Sequence, residues 1–329
     1  MAGGTALLAW MALGCNSRPS ASVETATAGQ PPFMSAVAGN PPGQADNAPP
    51  PEKTGGFDGK LAYEQVAKQV SFGPRPAGSP ALAKLQDYMV GELKSYGCDV
   101  STDSFSADTP AGRIPMKNIL VKIPGEKPGI ILLGTHYDTK RIPDFVGADD
   151  AGSSTGVMLE IARLLCGEKK PGKYAVWIAF FDAEEAVNLV WQDPDNRYGS
   201  RQMAARFAES GDLPKIKAFI LADIVGGRNP HFKRDGESTK WLKDMVWSVA
   251  ERLGYGNVFV KQATDFGGDD HFSFTARKVP SVDIMDLDIQ NDVPYWHTTQ
   301  DTMDKISAKT LAIVGHVILE SVKEIQEKK

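Results

Sequence analysis

The chain has 329 residues, of which 42% are apolar and 23% charged, with a formal net charge of −5. That is the make-up of an ordinary soluble globular protein. No basic stripe with interleaved aromatics is present, so nothing calls for a nucleic-acid partner, and Cys15, Cys98 and Cys166 form no CxxC pair, which argues against a cysteine-built metal site.

Ala6 to Gly14 is an apolar run too short to cross a bilayer but suited to the core of a signal peptide. It ends in Ala12-Leu13-Gly14-Cys15, which resembles a bacterial lipoprotein cleavage box with Cys15 as the lipidated residue. Residues 1–15 are therefore expected to send the protein to the periplasm or envelope, with a lipid anchor at Cys15 as its contact with the membrane. Residues 16–56 are rich in Pro, Ala, Gly, Ser and Asn, carry no apolar period and read as a flexible tether. One catalytic domain is expected over residues 57–329, as a monomer.

Leu61–Val70 and Ala81–Tyr96 have the spacing of amphipathic helices; in the second, Leu82, Leu85, Met89, Val90 and Leu93 share a face. The Gly and Pro content of Phe72 to Pro80 predicts a loop between them. Asn118–Ile123 and Ile130–Thr135 are short apolar runs that read as strands. Ser153–Cys166 has helical spacing, with Gly167 placed as the C′ residue that usually turns left-handed. Tyr174–Phe181 is continuously apolar, as in a strand buried on both faces, and Ala218–Val225 and Val279–Met285 look similar. Trp241–Leu253 and Ala308–Ile325 are predicted helices. Strands alternating with helices predict a single α/β domain, its central mostly parallel, mixed sheet flanked by helices on both faces. Cys98 and Cys166 could pair, but sequence alone does not decide it.

Chemistry collects at the predicted strand ends, where open α/β sheets build their sites. One run ends in His136-Tyr-Asp138, another in Glu184-Glu185, and a third carries Asp223. The two glutamates follow a nearly all-apolar stretch, so they leave a buried strand rather than a surface loop. Gly147 to Ser153 opens a helix with Asp149 and Asp150; aspartate there most often serves as an N-cap. Of five histidines, His136 follows an apolar run, His271 follows Asp269-Asp270, and His297 sits in Tyr-Trp-His-Thr-Thr. His316 reads as a packing residue in an apolar helix, and His231 as a loop residue with no ligand context. Neutral imidazole with carboxylate oxygens suits zinc, and three protein ligands leave one position open for catalysis.

His136-Tyr-Asp138, Gly147-Ala-Asp-Asp150, Phe180-Phe-Asp-Ala-Glu-Glu185 and His297-Thr298 resemble the zinc aminopeptidase (M28-like) superfamily that includes leucyl aminopeptidases. Gly73-Pro-Arg-Pro-Ala-Gly-Ser79 is similar to its N-terminal signature. The resemblance runs from about residue 60 to 325. Trp191, Tyr198-Gly-Ser-Arg201, Asp269-Asp270-His271 and Trp296-His297-Thr298 resemble one branch, the animal-type glutaminyl cyclases, whereas the peptidases more often carry Ser-Asp-His and Tyr-His-Thr. Gly267-Gly268 stand where that branch has larger residues.

This resemblance implies one zinc per chain held by Asp150, Glu185 and His297, and Glu184 as the proton shuttle. It implies Asp223 and Asp269 as a hydrogen-bonded acidic pair, and Trp191 and Trp296 as pocket walls. His136, Asp138, Asp270 and His271 would bind a second metal or support the ligands. The implied reaction is an acyl transfer: N-terminal glutamine of a peptide or protein closes to pyroglutamate and ammonia leaves. The alternative is a dinuclear aminopeptidase, in which His136 and Asp223 hold a second ion, Asp150 bridges, and Glu184 deprotonates a metal-bound water. A metal-free binding module would lack a ligand, and none is missing.

Overall fold

Apolar runs long enough to fill a strand on both faces put this chain's core on two sides of one sheet. A computed structural model describes residues 48–328. The signal peptide and Cys15 anchor expected over residues 1–15, and the tether up to residue 47, lie outside the described residues. The strands are β1 (Asp99–Thr109), β2 (Gly112–Ile123), β3 (Gly125–His136), β4 (Gly172–Phe181), β5 (Ile216–Asp223), β6 (Phe232–Asp235), β7 (Phe259–Thr264) and β8 (Ser281–Met285). The helices are α1 (Gly59–Val70), α2 (Pro80–Ser95), α3 (Gly152–Cys166), α4 (Tyr198–Ser210), α5 (Lys240–Arg252), α6 (Phe272–Thr275) and α7 (Ala308–Glu327).

Six strands form the main sheet in the order β1-β2-β4-β3-β5-β8, and β6 pairs with β7 in a small separate sheet. β3 runs parallel to β4 and β5, and β5 parallel to β8, while β2 is antiparallel to β1 and β4. The mixed, mostly parallel sheet is thus the expected one. Successive residues of a strand face opposite ways. Ile131 and Leu133 of β3 accordingly enter the larger core with α1, α2, α3, α5 and α7. Ile130 and Leu132 enter a smaller core on the other face, with Met203 and Phe207 of α4 and Phe274 of α6.

The structure adds elements the apolar pattern did not announce. β1 is a polar edge strand with no apolar run, held by pairing residue for residue with β2. α4, β6, β7 and α6 are likewise additional. Two local expectations are corrected. Gly167 caps α3 in right-handed conformation, at φ −78°, so α3 ends without the left-handed turn. Neither Asp149 nor Asp150 caps α3: its N-cap is Ala151, with no side-chain cap. Contacts also run ahead of Phe57. Pro51–Lys53 form a 3-10 turn, the buried Thr54 hydroxyl donates to the Phe57 carbonyl at 2.7 Å, and Phe57 sits fully buried in the larger core. No described helix is long and apolar enough to cross a membrane.

Cys98 and Cys166 form a disulfide, with Cα atoms 5.2 Å apart. It ties the start of the edge strand β1 to the end of α3. Cross-linking across 68 residues of chain removes conformational freedom from the unfolded state. The Cys98→Ala/Cys166→Ala variant should lose about 2–4 kcal/mol of stability. Urea unfolding of variant and wild type measures it, and coincident midpoints would deny the bridge a stabilising role.

Candidate active site

β4, β3 and β5 lie side by side, so their carboxyl ends deliver side chains to one place. His136 is the last residue of β3 and Asp223 the last of β5. Glu184 and Glu185 follow β4, Asp150 precedes α3, and His297 comes from the loop after β8. One ligand atom each from Asp150, Glu185 and His297 lies within 4.8 Å of the others, and the same holds for His136, Asp150 and Asp223. His297 Nε2 is 3.0 Å from Glu185 Oε1 and 3.3 Å from Asp150 Oδ2. Ligands about 2.0–2.2 Å from a tetrahedral zinc stand roughly 3.3–3.6 Å apart, so the first trio already has close to the required spacing. Glu185 Oε2 is buried without a hydrogen-bond partner, although the buried Lys140 Nζ lies 3.4 Å away. Two carboxylates, one imidazole and an unsatisfied oxygen make a donor set that fits a divalent metal.

The electrostatics agree. Burial disfavours charge on His297, yet Glu185 and Asp150 outweigh it and push the ring up to about 10. His136 is likewise raised well above its usual value, against burial, chiefly by Asp223, with Asp138 and Asp150 adding hydrogen bonds. Burial pushes Asp223 up to about 7, partly opposed by His136 and reinforced by Asp150 and Asp269. Burial drives Glu184 well above the carboxylate range, opposed by His136 and reinforced by Asp269 and Glu185. Such a cluster draws in positive charge; a metal would supply it and release protons from the imidazoles.

The supports reach across the fold. Arg75, in the Gly-Pro-Arg-Pro segment, is fully buried and donates to the carbonyls of Gln69, Gly73, Val146 and Gly147. It thereby holds the turn that leads to Asp150. Gly147 must be glycine there: its φ is +50°, and a Cβ would meet the Asp150 carbonyl oxygen at 2.0 Å. Asp138 sits 3.4 Å from His136 Nδ1 and accepts the Glu184 N–H at 3.1 Å, fixing both. Asp301 accepts the N–H groups of Asp149 and Asp150 at 2.8 and 3.1 Å. Asp149 accepts from the Gly226 N–H and the Tyr295 hydroxyl, each at 2.7 Å. The loops carrying Asp150, Asp223 and His297 are thus stitched together. Ala183, Ile224 and His297 themselves adopt left-handed backbone, with φ of 55°, 48° and 52°, a conformation that costs roughly 1–3 kcal/mol each.

A pocket of about 240 Å³ opens over these groups, lined by Asp150, Glu184, Glu185, Asp223, Asp269 and His297 together with both tryptophans. Trp191 Nε1 donates to Glu184 Oε1 at 2.7 Å. Trp296 stacks on the His297 ring at 3.9 Å and 20°. Asp269 and Asp223 share the pocket, but Asp269 Oδ2 is buried with no hydrogen-bond partner. Asp270 and His271 do not line the pocket; they are buried behind it. His316 packs against Tyr255, and the exposed loop residue His231 contacts Asp292; neither lines the pocket. Lys140, Tyr295, Asp149 and Asp301 are the site residues that sequence reasoning did not assign. The nearness of Tyr295 and Asp301 to His297 is their only local signal.

The model of peptidase family M28 matches residues 118–322. The chain is 28% identical to the glutaminyl-peptide cyclotransferase of Drosophila melanogaster, over 72% of this chain and 73% of that one. The crystal structure of an Acidobacteriales bacterium glutaminyl cyclase is 37% identical and superposes with a TM-score of 0.77, over 88% of this chain and 99% of that one. A Zn-dependent exopeptidase from Parabacteroides distasonis is 32% identical, with a TM-score of 0.72, over 83% and 99% of the two chains.

Removing the Asp301 carboxylate would strand two buried N–H groups beside Asp150. Asp301→Ala should weaken metal binding about 10–100-fold, as loss of a group that orients a ligand does. Competition with a chelator measures this. Wild-type affinity in the folded variant would take Asp301 out of the metal's support.

Proposed function

The chain belongs to peptidase family M28, and on that footing we propose that it is a glutaminyl-peptide cyclotransferase. The observation that carries the reading is the pairing of two tryptophans with the two working parts of the site: Trp191 with Glu184, and Trp296 with His297. The similarity to cyclases over nearly the whole fold supports it.

Asp150, Glu185 and His297 would hold one zinc at the catalytic centre. When bound, zinc supplies Lewis-acid polarisation of the substrate's γ-carboxamide carbonyl. The substrate's own α-amine nitrogen bonds to that carbonyl carbon, closing a five-membered lactam, and the bond from carbon to the amide nitrogen breaks. Amine and carbonyl already belong to one residue, so the pocket need only select the folded-back conformer. Glu184 takes a proton from the attacking amine and gives it to the departing nitrogen, so neutral ammonia leaves. Its raised proton affinity suits both halves of the task. The Trp191 N–H anchors one Glu184 oxygen, leaving the other for the proton. One proton shared by Asp223 and Asp269 would leave a single negative charge to orient the amine, since close carboxylates resist double ionisation. The indole walls keep out water, which would hydrolyse the carboxamide instead.

A second reading has its own observation. His136, Asp150 and Asp223 form a second trio sharing Asp150 with the first, as a dinuclear aminopeptidase would require. Asp269 separates the two readings. A carboxylate at 269 that shared a proton with Asp223 would lower the charge that a second ion would need.

The disulfide supports an oxidising compartment and so export. Anchoring through Cys15, a monomeric state and a peptide or protein substrate with N-terminal glutamine complete the proposal.

Purified protein given Gln-β-naphthylamide and Leu-p-nitroanilide side by side should cyclise the first faster than it cleaves the second; the opposite order makes it a peptidase. Glu184→Gln should lose about 10²–10⁴-fold in turnover while keeping its zinc. Near-normal turnover, or loss of metal, would reject Glu184 as the shuttle. Asp150→Ala, Glu185→Ala and His297→Ala should each lower zinc content sharply, and a full complement in any of them removes that residue from the ligand set.

A further inference from the structure

Behind Asp269 lies a second buried group of chemistry that the reaction does not use. Asp235 closes β6, Asp283 lies in the middle of β8, and Asp269-Asp270-His271 lead into α6. Asp235 and His271 are 1% exposed, Asp270 and Asp283 fully buried, and Asp269 3% exposed. Of the five, Asp269 alone lines the catalytic pocket.

Hydrogen bonds do not account for this cluster. Asp235 Oδ1, Asp269 Oδ2, both oxygens of Asp270, both nitrogens of His271 and both oxygens of Asp283 are buried without a hydrogen bond among the described residues. Native interiors rarely leave such groups unpaired, and a concentration of them in one place points to a species that they surround. One imidazole among four aspartates leaves an excess of acceptors over donors.

The geometry gives the cluster a direction. His271 Nε2 is 3.5 Å from Asp235 Oδ2, which in turn accepts the Ser238 hydroxyl at 2.8 Å. The other ring nitrogen, Nδ1, faces Asp283 Oδ2 at 3.8 Å, too far for a hydrogen bond. With Nε2 facing the Asp235 carboxylate and Nδ1 open, the imidazole is placed as metal-binding histidines are, one nitrogen toward a carboxylate and the other toward the ion. One ligand atom each from Asp269, His271 and Asp283 lies within 4.8 Å of the others.

We infer that Asp269, His271 and Asp283, with Asp235 orienting the imidazole, form a second site for a divalent transition-metal ion behind the catalytic centre. Mixed imidazole and carboxylate donors suit zinc or manganese over calcium. The ion joins β8 to the start of α6 and holds Asp269 from the side away from the pocket. The site shares Asp269 with the catalytic pocket but contains neither His136 nor Asp223, the peptidase's second-ion ligands, so an ion there is distinct from a dinuclear catalytic pair.

The test uses the full chain, stripped with a chelator and reloaded with zinc in measured amounts without excess. Crystals of this protein, mapped by anomalous scattering at the zinc edge, should show a peak between His271 and Asp283. Asp283→Asn should lose that peak and about one ion per chain by elemental analysis, while keeping any ion at Asp150, Glu185 and His297. Equal zinc in wild type and folded Asp283→Asn overturns the inference. So does a wild-type map with no peak at His271, which decides the matter even if the variant does not fold. Two peaks at the catalytic centre with none at His271 also overturn it, and would favour the dinuclear peptidase on separate grounds.

Discussion

The structure turns on a concentration of buried negative charge. Asp138, Asp150, Glu184, Glu185, Asp223 and Asp269 crowd one edge of the sheet, each at most 7% exposed. Carboxylates so placed cannot all ionise without nearby positive charge, because burial and mutual repulsion act in the same direction. His136 and His297 answer part of the demand and are themselves held protonated by it. A metal answers it better: it satisfies several lone pairs at once and restores the imidazoles to neutral donors. The proposed catalytic arrangement would then follow, with the ligands on one side and a high-affinity proton acceptor on the other.

Such a cluster must be held open against its own repulsion, and the fold does this with backbone. The parallel strands fix where His136 and Asp223 emerge. Arg75 uses its guanidinium to gather four carbonyls rather than to neutralise a carboxylate directly, which shapes the turn before Asp150. Asp301 and Asp149 spend their carboxylates on N–H and hydroxyl donors of neighbouring loops. Some of the acidic residues here are therefore scaffolding for the others.

This division explains what could be read in the sequence. His136, Glu184, Glu185 and Asp223 were legible because each breaks an apolar run at its end, a local signal of a buried strand reaching a site. His297 and Asp269 gained their roles from resemblance, since a histidine or aspartate in a loop carries no pattern of its own. Asp150 reads locally as a helix cap and gained its ligand role from resemblance; the Asp301 carboxylate that accepts its N–H lies 151 residues further along. Tyr295 and Asp149 meet across 146 residues for the same kind of reason. No local period encodes contacts of that span. The polar edge strand β1 was missed because its pairing with β2, rather than its hydrophobicity, makes it a strand.

The left-handed residues Ala183, Ile224 and His297 bear on how this protein tolerates change. Each sits beside or within the ligand set, and each is a residue type that gains nothing locally from that conformation. The backbone at 297 alone would welcome asparagine or glycine, yet either would forfeit the imidazole. A branched side chain would fail on both counts. At 297, therefore, a substitution that relieves the distortion also removes the imidazole, whereas glycine at 183 or 224 would relieve it without touching a proposed ligand. Position 297 thus joins a backbone demand to a side-chain demand that no other common residue meets together, which narrows what can replace histidine there.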